Sequence, residues 1–157
     1  MKRTRHANGG IDALDAKILR ILADDGRIAM KDLAEAVGLS APSVAERVKR
    51  LEEVGVIDGY AAKIDASAIG LPLAVYIRVR PMPGELTRVA KLLASLPDIV
   101  ECDRVTGDDC FVAKAYVASV AELETLIDDL LPYATTNTAV IQSSPVARRV
   151  PTIRISR

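Results

Sequence analysis

Val37-Gly38-Leu39-Ser40-Ala41-Pro42-Ser43-Val44-Ala45-Glu46-Arg47-Val48-Lys49-Arg50-Leu51 holds the turn and helix that decide how this chain is read. Gly38 stops a preceding helix. Ser40 offers a side-chain oxygen to the free amides of the next one, and Pro42 falls in its first turn, where a missing amide proton costs little. Val44, Val48 and Leu51 recur at helical spacing as an inner stripe, while Pro42, Ser43, Glu46, Arg47 and Arg50 face the other way with Lys49 on the flank. Upstream, Leu14, Ile18, Ile21 and Leu22 predict an amphipathic helix over residues 12–24, with Asp12 near its start and Asp24-Asp25-Gly26 ending it. Leu33, Ala34 and Val37 mark a short second helix from about Met30. Downstream, Gly55 ends the third helix, and Asp58-Gly59 is a turn signal between the short extended pieces of Val56–Tyr60. Three helices followed by a strand or wing make a winged helix-turn-helix pattern over residues 11–60.

Farther along, the period changes from helical to alternating. Leu73, Val75, Ile77 and Val79 share one face of a strand, with Ala74, Tyr76, Arg78 and Arg80 on the other. Leu86, Val89, Ala90 and Leu93 return to helical spacing. Ile99–Val105 and Phe111–Val117 read as strands joined by the turn Thr106-Gly107-Asp108-Asp109. Leu123, Leu126, Ile127, Leu130 and Leu131 form another helical stripe, and 135–143 is a final β-rich run. The order β-α-β-β-α-β is a ferredoxin-like plan, so the fold class is α+β. The expected division is a disordered tail over 1–10, the helix-turn-helix domain over 11–60, a linker strand over 61–72 pivoting at Gly70, the ferredoxin-like domain over 73–150, and a tail over 151–157.

Composition narrows the chemistry. The chain has 157 residues, half of them hydrophobic, which suffices for a core and argues against wholesale disorder. Its apolar runs are too short for a membrane helix, and the basic start leads into no apolar segment, so a cytoplasmic protein is expected. Cys102 and Cys110 lack a CxxC arrangement, fit a reducing compartment, and read as two small half-buried residues rather than a redox switch. The single histidine, His6, lies in the basic tail. A histidine-based triad or a His/Cys metal cage is therefore nearly excluded, and no metal or cofactor is expected.

The chain resembles the Lrp/AsnC (feast/famine) family of bacterial and archaeal transcription regulators. Leu14–Leu19, Asp25-Gly26-Arg27, Leu33-Ala34, Val37–Ser40, Glu46–Glu52, Gly55–Tyr60 and Val105–Asp108 carry the likeness, in order, over residues 11–149. It departs where Ala41 separates the capping serine from the proline, and where Asp109 and Cys110 replace an aromatic and an acid. The resemblance implies an N-terminal DNA-binding domain and a C-terminal domain that dimerises, assembles further to tetramers or octamers, and commonly binds an amino acid.

A helix in the major groove needs a dry side for its own core and a wet side of donors for phosphates and base edges. The candidate DNA-binding set is Ser40, Pro42, Ser43, Glu46, Arg47, Lys49 and Arg50, in which Ser43, Arg47 and Arg50 form one row at i, i+4, i+7. Because Arg47 and Arg50 face away from the apolar stripe, replacing them is expected to leave folding nearly intact. The competing, bland reading is a solvated helix face laced by the i,i+4 pairs Glu46–Arg50 and Lys49–Glu53. Residues 1–60 carry ten basic and ten acidic side chains, so affinity per monomer should be modest. For the effector, the resemblance implies a site near Thr106, Gly107, Asp108 and Asp109 and the facing last-strand residues Thr136, Thr138 and Val140, at an interface between dimers.

The reading that follows is a sequence-specific DNA-binding transcriptional regulator, not an enzyme, modulated by a small effector of amino-acid type. Its expected partners are double-stranded DNA, the effector and further copies of the chain. An architectural, DNA-compacting protein of the same fold is one alternative. A sirohaem-decarboxylase-like enzyme is the other, and it is disfavoured because that chemistry relies on histidine.

Overall fold

The computed structural model describes residues 10–155. The basic tail Lys2–His6 and most of the expected disordered 1–10 segment lie outside the described residues, as do the last two residues. The described chain forms two compact units, one of residues 10–63 with 146–155 and one of residues 64–145. Residues 64–72 thus go with the sheet and 146–150 with the helices, whereas the sequence pattern predicts a linker over 61–72 and a sheet domain running to 150.

The first unit is built from α1 (Ala13–Asp24), α2 (Met30–Val37) and α3 (Ala41–Glu53). Asp12 caps α1 through a reciprocal box: Asp12 Oδ1 accepts from the Asp15 amide at 2.7 Å, and Asp15 Oδ2 accepts from the Asp12 amide at 3.2 Å. Gly38 closes α2 in the left-handed conformation (φ 79°), a geometry that a Cβ would strain. The buried stripes Ile18, Leu22, Leu33, Ala34, Val37, Val44, Val48 and Leu51 meet as one core. The expected wing strand does not form. The amides of Val56 and Ile57 both donate to the Leu51 carbonyl, at 2.9 and 3.0 Å, so they close the C-terminus of α3 instead of entering a ladder. Their side chains pack against the helical core.

In the second unit a single 3₁₀ turn, Ser67–Ile69, ends at Gly70 (φ 88°) and leads into β1 (Leu73–Pro81). Next come α4 (Leu86–Ser95), β2 (Ile99–Arg104), β3 (Phe111–Val117), α5 (Val120–Leu130) and β4 (Ala134–Val140). The sheet order is β2-β3-β1-β4 with every neighbouring pair antiparallel. This is the ferredoxin-like arrangement: β3 lies between β1 and β2, and β1 lies between β3 and β4. One face carries Val75, Ile77, Val79, Ala113, Ala115 and Val117, all fully buried with Val89, Leu93, Leu126 and Leu130. The other face stays open. There Lys114 sits over the rings of Tyr116 and Tyr76, at 5.1 and 5.9 Å from their centres, and Tyr76 is 46% exposed.

Candidate nucleic-acid interface and effector loop

Helix α3 presents its candidate residues in two distinct states. Pro42, Ser43, Glu46 and Lys49 are exposed to solvent. Ser40 caps the helix, its Oγ 3.4 Å from the Ser43 amide and 2.8 Å from the Ser43 hydroxyl. Lys49 reaches Glu53 at 3.7 Å, a surface pair of little energetic weight that leaves the ammonium available.

Arg47 and Arg50 instead turn toward α1. Arg47 Nη1 lies 2.6 Å from Asp12 Oδ2 and 2.9 Å from Asp15 Oδ1, and Arg50 Nη2 lies 2.5 Å from Asp15 Oδ2. Asp15 is fully buried, so both of its carboxylate oxygens are compensated by guanidinium groups rather than by water. The predicted Ser43/Arg47/Arg50 row is present, but the two arginines also hold the start of α1 against α3. The expectation that they are dispensable for folding is therefore corrected. The predicted Glu46–Arg50 pair does not appear among the described residues, because Arg50 is taken by the stronger, buried acceptor. Sequence reasoning passed over Asp12 and Asp15 as site residues. The signal was present: Asp15 stands three before Ile18 and seven before Leu22, an acid on an apolar stripe, and such an acid needs a counter-charge.

The backbone amide of Asp15 and then the Arg47 guanidinium hold the Asp12 carboxyl below its ordinary value of 3.8. Asp12 and Asp15 in turn raise Arg47. A carboxyl depressed by folding contributes stability that is fully present above its unfolded pKa and is lost as pH falls through its folded one. The stability difference between wild type and Asp12→Asn is therefore expected to be constant near neutrality and to shrink below about pH 4. Denaturant unfolding of both proteins from pH 7 to pH 2 tests this, and a difference that persists unchanged at pH 2 contradicts it.

The loop over residues 106–109, the candidate effector site, joins β2 to β3. Gly107 takes a positive φ of 108°, and the Val105 amide closes the turn on the Cys110 carbonyl at 2.9 Å. Arg80, at the end of β1, reaches beneath it. Its Nε donates to the Asp108 carbonyl at 2.9 Å, and its Nη2 lies 3.6 Å from Asp108 Oδ2 and 3.9 Å from Asp109 Oδ1. Asp108 keeps a side chain 92% exposed. On β4, Thr136, Thr138 and Val140 pair with Val79, Ile77 and Val75, so they share the helix-side face of the sheet, along its edge. Within one chain Thr136 comes to the loop's end of the sheet, whereas Val140 lies roughly 14 Å farther along the strand. Arg80 is the residue that sequence reasoning missed here. Its part depends on the Val79–Phe111 register, a pairing between distant segments.

Cys102 and Cys110 are both free; Cys110 is half-buried as expected, whereas Cys102 is exposed, and local desolvation with the neighbouring Asp103 charge still pushes the Cys102 thiol up, away from the reactive thiolate. No group of three or more His, Cys, Asp or Glu side chains is placed to hold a metal among the described residues, and no helix among them is long and apolar enough to cross a membrane.

Residues 11–52 match the model of the AsnC-type helix-turn-helix domain, and residues 74–151 match that of the Lrp/AsnC ligand binding domain. The leucine-responsive regulatory protein of Rhizobium meliloti is 38% identical over 143 residues, covering 89% of this chain and 91% of that protein. The transcriptional regulator LrpC of Bacillus subtilis is 34% identical over 133 residues, 85% of this chain and 92% of its own length. The solved LrpC structure superposes with a TM-score of 0.84 at 32% identity, covering 89% of this chain and all of that one. A feast or famine regulatory protein from M. tuberculosis, solved in complex with L-methionine, superposes at 0.83 with 30% identity, over 91% and 99% of the two chains.

Proposed function

Taking as premise that this chain belongs to the Lrp/AsnC family of transcriptional regulators, we propose that α3 reads double-stranded DNA through Ser40, Pro42, Ser43, Glu46, Arg47, Lys49 and Arg50. The protein is a regulator, not an enzyme, which sets aside the sirohaem-decarboxylase alternative. The observation that carries the reading is the solvent-facing row beyond the Gly38 turn, on a helix whose opposite stripe is buried. Pro42, Ser43, Glu46 and Lys49 are free to meet base edges. Arg47 and Arg50 meet phosphates from positions fixed by α1, which suits backbone contacts that set register rather than sequence.

The second unit binds a small effector of the amino-acid class at the 106–109 loop. Two observations support this: the match of residues 74–151 to the Lrp/AsnC ligand binding domain, and the charge layout of the loop. Asp108 offers a carboxylate to a ligand ammonium, and Arg80 beside it offers a guanidinium to a ligand carboxylate. Thr136, Thr138 and Val140, exposed or half-exposed on the edge strand, complete the site from a neighbouring copy of the chain. Assembly proceeds through the open sheet face with Tyr76, Lys114 and Tyr116, to a homodimer and on to tetramers or octamers. The protein works in the cytoplasm, where its DNA is.

Selection of bound genomic fragments, with footprinting and sedimentation repeated over an amino-acid panel, tests the reading. Spaced protected sites are expected, with at least one amino acid changing both footprint and assembly. Asp108→Ala is expected to bind DNA normally and to lose that response. Continuous protection without preferred sites indicates an architectural protein instead, and an Asp108→Ala variant that responds like wild type removes the loop from the site.

A further inference from the structure

Arg47 uses a single nitrogen for two carboxylates. Its Nη1 donates to Asp12 and Asp15, while its Nε and Nη2 have no protein partner among the described residues. The two acids differ in kind. Asp15 is fully buried and also holds Arg50, whereas the Asp12 side chain is 50% exposed. Asp12 lines a cleft of about 410 Å³ with Gly10, Ser43, Glu46 and both arginines, on the face that α3 offers to DNA. A solvent-reachable oxyanion 2.6 Å from a guanidinium matches a phosphate oxygen in charge and geometry.

We infer that Asp12 is a built-in stand-in for a DNA phosphate, which occupies Arg47 in the free protein and limits the affinity of the DNA-binding face. This rests on the reading that α3 meets DNA, and it adds a residue that tunes the contact rather than one that makes it. The division of labour follows from burial. Asp15 stays with Arg50 and keeps the helices together, while Asp12 gives up Arg47 when a backbone phosphate arrives. With Asp12 and Asp15 opposite Arg47 and Arg50, the cluster is formally neutral, so Arg47 adds no net positive field until Asp12 is displaced. Asp12 also caps α1 through Oδ1, a role that asparagine and serine fill without the charge.

The test uses the full-length chain and a duplex of arbitrary sequence, because phosphate contacts are independent of base sequence. Binding is titrated over a range of NaCl concentrations for wild type, Asp12→Asn, Asp12→Ser, Arg47→Gln and Asp12→Asn/Arg47→Gln. Both single variants at Asp12 are expected to bind roughly two- to fivefold tighter. Their dependence of log affinity on log salt is expected to steepen by about 0.9 per recognition helix engaged. In the Arg47→Gln background the gain from Asp12→Asn is expected to vanish. Unchanged or weaker binding by both variants overturns the inference. So does a gain of equal or greater size without Arg47, which would make Asp12 a through-space repulsion only. A wild type that binds no duplex sinks the DNA reading itself and the inference with it, whereas a wild type that binds beside unresponsive Asp12 variants sinks the inference alone.

Discussion

Replacing both Arg47 and Arg50 by alanine is expected to destabilise the helical unit by about 3 kcal/mol or more, because it strands a buried carboxylate. Asp15 has no solvent exposure, and apart from the Asp12 amide at 3.2 Å its oxygens are held by these two guanidinium groups. The arginine side chains are 30% and 37% exposed, so water entering behind them offsets part of the loss and keeps the effect toward the lower end of the range for buried pairs. Lys49→Ala, on the same helix but with a side chain 75% exposed, is expected to change stability by no more than about 0.5 kcal/mol. Urea unfolding followed by far-ultraviolet circular dichroism separates the two cases. A double variant with the wild-type midpoint would mean that Asp15 is not held as an uncompensated charge. The outcome also governs how DNA-binding data are read: loss of binding in this double variant reports folding as well as contact, so Lys49 and Ser43 are the cleaner probes of the proposed DNA-binding face.

Ile77→Ala is expected to cost about 3–5 kcal/mol in the sheet unit, the upper part of the range for such truncations. Ile77 is fully buried in β1, with Ala113 beside it on β3 and Thr138 beside it on β4. Hydrogen-bonded strands on both sides keep the backbone from closing over the hole, and the packed helices above limit collapse from that direction. Val140→Ala, on the edge strand and 53% exposed, is expected to fall within about 0.5 kcal/mol of wild type. Equal unfolding midpoints for the two variants would show that the core around β1 relaxes freely.

What the sequence disclosed was whatever leaves a local period. The stripes Val44/Val48/Leu51 and Val75/Ile77/Val79 predict both the element and its buried face, and the structure buries all six residues. Gly38 and Ser40 mark their helix ends because each satisfies orphan backbone groups within a few residues of chain. The features that stayed hidden depend on partners far along the chain. Asp15 meets Arg50 across 35 residues, and Arg80 meets Asp108 across 28. The strand expected at Val56–Ile57 failed for a different reason. The composition there suits a strand, but the two amides are taken by the Leu51 carbonyl, a choice that side-chain pattern does not report. The placement of 146–155 with the helical unit left no periodic trace either.

The strand order carries a consequence for synthesis on the ribosome. The three-helix core is complete once Ile57 has emerged, whereas β1 finds its partner along one edge only when β4 appears, with the 59 residues from Met82 to Val140 still to be made. At about 5–20 residues per second, the backbone of Leu73–Pro81 waits roughly 3–12 seconds with at least one edge unpaired, and with both unpaired until β3 is made. An open edge on an apolar strand is a template for any other extended chain, including a second nascent copy on a neighbouring ribosome. Messages truncated between codons 118 and 133 are thus expected to yield aggregates, while those ending near codon 63 yield a soluble helical fragment.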